Sequence, residues 1–265
     1  MAVAKGGAIA ALVRAAVGAV GGIERFIRPG DRVLVKPNMA WDRPPELGAN
    51  THPEVVGEVV RLCREAGASR VVIAEHPVHH PERVAARSGV GEAARNAGAE
   101  VLVPPNVGFV KASLGGSVLG SWDVLAPAIE VERIINVPVV KVHSLSRLTC
   151  GLKNWYGLLG GAREVLHQWI HPSIADLGAA FLPTLTVTDA TRVLIRGGPT
   201  GGRPSDVLPV GAVAAGTDPV ALDAWAAGLV GLDPREVGHV VLAEGRGLGS
   251  IDAGTGPIEE IHAGA

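Results

Sequence analysis

Aromatic residues are scarce in this 265-residue chain, at 3%. The interior therefore has to be built from Val, Leu, Ala and Ile, and no series of rings is available for stacking on bases. Basic runs are also missing and the net charge is −2, so the electrostatic footprint of a nucleic-acid or anionic-membrane binder is absent. Cysteine occurs twice, as Cys63 and Cys150. Two thiols cannot build a disulfide framework or a four-cysteine zinc or iron–sulfur site within one chain. No uninterrupted apolar stretch reaches the roughly 18 residues of a transmembrane helix. No repeat of solenoid period appears. What is abundant is apolar: 47% hydrophobic against 19% charged residues, which excludes disorder and leaves ample material for a core.

The opening segment AIAALVRAAVGAVGGIERFI has some features of a signal peptide. Arg14 interrupts its apolar run, however, and it flows into GIERFIRPGDRV rather than a cleavage-type boundary. An amphipathic helix over about Ile9–Phe26 is expected, in a soluble cytoplasmic protein. A strand follows at Asp31–Val35, halted by Lys36-Pro37-Asn38 because proline lacks a ladder donor. After a Pro/Gly-rich loop, Thr51 is an N-cap candidate for a helix ending near Ala66. Val71–Ala74 reads as a strand, Glu82–Asn96 as a helix and Glu100–Val103 as a third strand. Residues 104–130 read as an excursion or hairpin. The run Ile134–Val140 reads as one buried strand, then a helix from about Ser173 to Phe181 and a strand at Thr184–Thr188. Val210–Ala215 is a further strand, Asp218 caps the next helix, Pro234–Glu244 is a short helix, and Pro257–His262 closes the chain as an edge strand. Strands with continuous apolar runs alternating with helices give an α/β fold, three-layer, with a mostly parallel sheet and helices on both faces. It occupies 1–265 as a single domain, or as two lobes, about 1–125 and 126–265, that share a cleft.

Chemistry concentrates just past the end of the Ile134–Val140 run, where open α/β sheets place their ligand crevices. Lys141, His143, Thr149, Cys150, Lys153, Asn154, His167 and His171 fall within about thirty residues there, among glycines at 151, 157, 160 and 161 that would admit close approach of a ligand. A lysine beside histidines in a partly apolar pocket should lose its proton near neutrality and serve as nucleophile or base. Lys153 and His143, helped by Lys141 and His167, are the candidate catalytic groups. Lys36, Asn38 and His52, at a strand end and a helix start, are candidates for gripping an anion, with Asn154, Thr149 and Asp189 as further substrate contacts. His167 and His171 have the i, i+4 spacing of a divalent metal pair, with Asp176 as a third ligand. His76, His79 and His80 form a second candidate metal cluster, and Cys150 is a candidate thiolate or cluster ligand. The loop Gly197-Gly-Pro-Thr-Gly-Gly202 lacks the lysine of a P-loop and reads as a wall or lid over the cleft. Asp223, inside an apolar helix, needs a buried partner.

The succession VLVKPN, THPEVV, VVIAE, INVPVVKVHSLSRLTCGLKNWYG, IADL, TVTDA, GGPTGG and GTDPVALDAWAA resembles the domain of unknown function 362 family across nearly the whole chain. Many members of that family look like redox proteins because they carry a ferredoxin-like module with Cys-x-x-Cys-x-x-Cys clusters. This chain has no such module, so the resemblance implies an iron–sulfur cluster only if two chains share one through Cys150 or a ferredoxin-type partner supplies it. A fainter similarity is to the nickel-pincer lactate racemase family, where a histidine precedes a cofactor-holding lysine by a glycine-rich stretch and a second histidine follows. His143, Lys153 and His167 or His171 would take those positions, with Asp42-Arg43-Pro44-Pro45 in place of an Arg-Pro-Thr-Pro strand end.

The expected function is an enzyme, oxidoreductase or isomerase, acting on a small anionic ligand. The rivals are a non-catalytic accessory protein for a ferredoxin-type partner and a metal-dependent hydrolase built on His167, His171 and Asp176. Neither nucleic acid nor membrane is expected as a partner, and a homo-oligomer is compatible with the composition.

Overall fold

Along a strand covered on both faces, alternate residues serve opposite cores. Val33 and Val35 enter one apolar cluster while Leu34 enters the other, and Val213 and Ala215 oppose Ala212 and Ala214 in the same way. The computed structural model describes residues 1–264. Its strands are β1 (Ala2–Lys5), β2 (Arg32–Pro37), β3 (Arg70–Ala74), β4 (Glu100–Leu102), β5 (Phe109–Ser113), β6 (Ser121–Leu125), β7 (Arg133–Val137), β8 (Val139–His143), β9 (Arg147–Thr149), β10 (Leu185–Leu194), β11 (Val207–Leu208), β12 (Ala212–Gly216) and β13 (Glu259–His262). The helices are α1 (Ile9–Ala19), α2 (Pro53–Glu65), α3 (Pro81–Arg87), α4 (Val90–Asn96), α5 (Pro127–Glu130), α6 (Gly151–Asn154), α7 (Ile170–Ala180), α8 (Pro219–Leu229), α9 (Gly238–Gly245) and α10 (Ile251–Thr255).

The main sheet has the order β13-β1-β12-β10-β7-β2-β3-β4, with β8 and β11 attached at β10 and β9 at β8, and β5–β6 forms a separate hairpin. Pairing is parallel from β10 through β7, β2 and β3 to β4, and antiparallel where β12 meets β10 and β1. Helices α1 to α4 cover one face through residues such as Val13, Val56, Val84 and Ala94. Helices α6 to α10 and the hairpin cover the other, through Leu152, Leu177, Leu222, Val240, Ile251 and Leu125. The fold is thus α/β, three-layer and mostly parallel. The sheet interleaves strands from both halves of the chain, since β7 lies between β2 and β10.

Several elements depart from expectation for identifiable reasons. The Ile134–Val140 run is two strands, because Pro138 cannot continue the ladder; β7 ends at Val137 and β8 begins at Val139. β2 continues through Lys36 to Pro37, which sits at its last rung against Val137, past the end of pairing with β3. The N-cap of α2 is His52 rather than Thr51: His52 Nδ1 accepts the Glu54 N–H, while the Thr51 hydroxyl donates to the Val137 carbonyl. The expected helix 82–96 is broken at Gly89, which has φ +72°, and the strand at 184–188 extends to Leu194 as β10. Strand β1 was not foreseen at all; it pairs with β12 and β13 inside the sheet. Among the described residues, no helix is long and apolar enough to cross a membrane.

Candidate active site

Strand β8 carries its chemistry outward on a short antiparallel hairpin with β9. Lys141 faces Thr149 across the pair, and His143 lies two residues further along, so period-2 alternation puts all three on one face. The chain then turns into α6, whose first amides are gathered by a buried carboxylate: Asp223 Oδ1 accepts the Gly151 N–H at 2.7 Å, and Oδ2 accepts that of Leu152 at 3.3 Å. That contact supplies the partner Asp223 requires in its apolar helix. Burial pushes the Asp223 carboxyl up to about 7. Within the same turn, Lys153 projects beside Tyr156, its Nζ 4.4 Å from the ring centroid.

These groups border a cavity of about 480 Å³ whose wall includes Asn38, Lys141, His143, Thr149, Lys153 and His167. The ammonium of Lys153 and the imidazole of His143 therefore share one hollow. Trp41, Glu75, His76, Tyr156 and Arg163 also line it, with Pro199 contributed by the glycine-rich loop. That loop is a wall: a Cβ on Gly198 would stand 2.0 Å from the Val142 carbonyl oxygen, so the backbone there is packed directly on β8.

Lysine is rare in the chain, at five residues, and three of the five are buried here. Two have their protons committed. Lys36 Nζ donates to Glu75 at 2.7 Å, to Asn154 Oδ1 at 3.0 Å and to the Pro37 carbonyl at 2.8 Å. Lys141 Nζ donates to Asn38 Oδ1 at 3.0 Å and to the Ala49 carbonyl. Lys153 has no such acceptor among the described residues. Its burial, then the nearby Arg163 and Lys36 charges, lower its pKa to about 7. Burial likewise lowers Lys36, against the pull of Glu75, and takes Lys141 well below its ordinary value.

His143 Nδ1 accepts the N–H groups of Leu145 (3.1 Å) and Ser146 (3.2 Å). The ring proton of the neutral imidazole is therefore on Nε2. Burial, with Lys153, Lys141 and His167 adding repulsion, lowers its pKa to about 3, so the ring is a neutral N–H donor at any physiological pH. The His167 ring lies nearly parallel to it, with centroids 6.4 Å apart. The Thr149 hydroxyl, also on the wall, is buried without a hydrogen-bond partner among the described residues.

The family model described as a domain of unknown function (DUF362) matches residues 33–228, from β2 to α8. The chain belongs to the DUF362 family. The thylakoid-associated protein sll1697 of Synechocystis sp. (strain ATCC 27184 / PCC 6803 / Kazusa) is 28% identical to this DUF362 protein over 259 residues, covering 91% of the chain and 76% of the relative. Among solved structures, the lactate racemase apoprotein from Thermoanaerobacterium thermosaccharolyticum aligns with a TM-score of 0.44 at 13% identity. The alignment covers 92% of this chain and 56% of that one.

Within this DUF362 protein the expected site residues divide. Lys141, His143, Thr149, Lys153, Asn154, His167 and Asn38 are brought to the cavity. Asn154 spends its amide on Lys36, Asn38 and Asn136, so it holds α6 against the sheet rather than offering free hydrogen bonds. Lys36 lies sealed beneath Glu75. His52 caps α2, and Asp189 accepts the His52 N–H and pairs with Arg192, so neither reaches the cavity.

The metal triad does not assemble. Asp176 is engaged by the Val118 and Leu119 N–H groups and by Arg246, and His171 stacks on His239. His167 sits on a 3-10 segment, which spoils the i, i+4 face. His76, His79 and His80 also diverge: His76 Nδ1 lies 2.7 Å from the Leu159 carbonyl, His79 Nδ1 accepts the Asp42 N–H, and His80 precedes α3 with its side chain exposed. Among the described residues no three His, Cys, Asp or Glu side chains could hold a metal ion between them. Cys150 is fully buried beside Asp223, and burial pushes its thiol well up. A cluster shared between chains through that sulfur does not fit this arrangement, nor does a thiolate.

Several residues of the wall escaped sequence reasoning, among them Trp41, Glu75, Tyr156 and Arg163. Glu75 follows β3 directly, and the strand-end rule applied to β8 would have found it; Tyr156 is the one tyrosine in the chain. Three of the flanking glycines also serve differently from expectation. A Cβ on Gly157 would lie 1.8 Å from Glu75 Oε1, one on Gly160 2.6 Å from the Phe109 ring, and one on Gly151 3.0 Å from Asp223. These three make room for protein side chains, whereas Gly161, with open space where a Cβ would stand, lines the cavity as expected. Gly157→Ala is accordingly expected to push Glu75 off Lys36 and leave a buried ammonium without its counter-ion, at a cost of about 3–5 kcal/mol. A shift of the urea midpoint measures this, and an unchanged midpoint would show that Glu75 has another way to reach Lys36.

Proposed function

We propose that this protein is an enzyme of proton transfer, isomerase-like in its chemistry, acting on a small anionic substrate held in the β8–β9/α6 cavity. The observation that carries the reading is the Lys153 amine, buried without an acceptor, in the same hollow as a histidine fixed as a neutral Nε2–H donor. An amine with a pKa of about 7 is poised to take and return a proton near neutrality. His143 Nε2–H and the unpartnered Thr149 hydroxyl can donate to an oxygen that gains negative charge as the proton leaves.

Arg163, half-buried on the wall and held at 2.9 Å to the Tyr156 carbonyl, supplies a permanent positive charge for the anionic group. Lys36 adds to the cationic field from below, offset by its ion pair with Glu75. Between the two expected reaction classes, proton transfer is preferred because the chain's own residues provide both its base and its acid. Glu75, Asn154 and Asp223 are positioning residues in this scheme, since they act through Lys36 and α6.

The reading is tested in deuterated buffer with a panel of small carboxylates and phosphate monoesters that carry an acidic C–H bond. Wash-in of solvent deuterium into one member, abolished by Lys153→Met and reduced about 10²–10⁴-fold by His143→Phe, is the expected result. Exchange that survives Lys153→Met would remove the lysine from the mechanism.

A further inference from the structure

We infer that Lys153 also reacts as a nucleophile, condensing with the carbonyl group of a small anionic aldehyde or 2-oxo acid to form an imine. This rests on the anion site proposed above and names the substrate class that site takes. The geometry selects one lysine out of three. Lys36 and Lys141 hold their Nζ atoms in two or three hydrogen bonds each, so neither nitrogen can present a lone pair without losing buried contacts. Lys153 Nζ has no hydrogen-bond acceptor among the described residues, lies 4.4 Å from the centroid of the Tyr156 ring, and borders the cavity. An amine desolvated next to other cations, with a pKa of about 7, is unprotonated in a substantial fraction of molecules near neutrality, and that is the form that attacks a carbonyl.

The rest of the wall answers the needs of the step. The Lys153 nitrogen attacks the carbonyl carbon, the C–N bond forms, and the π electron pair moves onto oxygen, which His143 Nε2–H and the Thr149 hydroxyl are placed to receive by hydrogen bonding. The nitrogen gives up one of its two protons, the oxygen takes up that proton and a second one from solvent and departs as water, and the protonated C=N bond of an iminium replaces C=O. One water is released for each carbonyl consumed, and nothing is oxidised or reduced. The carboxylate or phosphate of the same molecule would lie against Arg163. The resulting iminium withdraws electrons from the adjacent carbon, which acidifies a C–H bond there.

The test incubates the intact protein with glyoxylate, an anionic aldehyde, in the presence of cyanoborohydride, followed by peptide mapping. A parallel sample contains propionaldehyde, a neutral aldehyde, and another contains excess oxalate as a non-carbonyl competitor. The expected result is a reduced adduct on Lys153 that outpaces those on the exposed Lys5 and Lys111 by tenfold or more, is suppressed by oxalate, and is much slower with propionaldehyde. Lys5→Arg and Lys111→Arg should leave it unchanged, and Lys153→Arg should remove it. Because the map is made on the wild-type chain, a poorly folding variant does not blunt the test. Oxalate binding without any Lys153 adduct would overturn the imine while leaving the base reading intact. Modification spread evenly over the lysines would also overturn it. Neither oxalate binding nor adduct would sink both.

Discussion

Lys153→Met is expected to raise the melting temperature at pH 7 by roughly 5–10 °C while abolishing anion binding. Lys153 is 8% exposed, and its pKa falls from 10.5 to about 7 on folding, chiefly through burial. Between those values the unfolded chain binds more protons than the folded one, so wild-type stability rises with pH from about 7 to about 10.5. Below 7 the ammonium is present in both states and the full penalty of burying it applies. At ~1.4 kcal/mol per pH unit the upper bound is roughly 5 kcal/mol. Water in the cavity and the lost contact with Tyr156 reduce the net gain on substitution to about 2–4 kcal/mol. Methionine has similar reach and no charge, so the variant escapes the penalty and its advantage closes as pH rises past 10. Melting curves from pH 6 to pH 10.5 measure the gap. A variant less stable than wild type across that range would mean that Lys153 supports the fold rather than straining it.

Anion binding is expected to take up close to one proton at pH 8 and to weaken about tenfold per pH unit above 7. The free site holds Lys153 mostly as the amine at pH 8, because its pKa is about 7. An anion beside it favours the ammonium and moves that pKa upward, so binding draws a proton from solvent. Below about pH 7 the amine is already protonated and the uptake vanishes. Oxalate is a suitable probe, since it does not itself titrate in this window. Calorimetry in two buffers of different ionisation enthalpy reads the proton count directly. Binding with no uptake at pH 8 would show that the anion sits away from Lys153.

Much of this site was legible because it is contiguous. Lys141, His143, Thr149, Lys153 and Asn154 lie on a hairpin and one helical turn, so a strand end followed by a polar turn was enough to gather them. Residues from other elements were harder to place, because sequence gives a side chain's neighbours along the chain and not its depth. Lys36 and Asn38 flank the same strand end, yet Lys36 lies under Glu75 while Asn38 reaches the wall. His52 follows the helix-start logic that was applied to Thr51, and its ring is consumed by the cap. The His167–His171 spacing misled because four residues span one turn only in a regular α-helix, and the chain there is 3-10 until Ile170. Pro138 was visible throughout; its break of the apolar run into β7 and β8 is what aims β8 along β10 toward the cavity.

The most direct measurement is a pH titration of the lysine Nζ signals by NMR on protein labelled with ¹⁵N-lysine, assigned with Lys153→Arg. Only five lysines contribute, so each can be followed. The Lys153 signal should titrate near 7 and move upward when oxalate is added, with Lys5 and Lys111 unmoved. A Lys153 signal that titrates near the ordinary lysine value of ~10.4 and ignores oxalate would contradict the convergence of amine, imidazole and anion on one cavity.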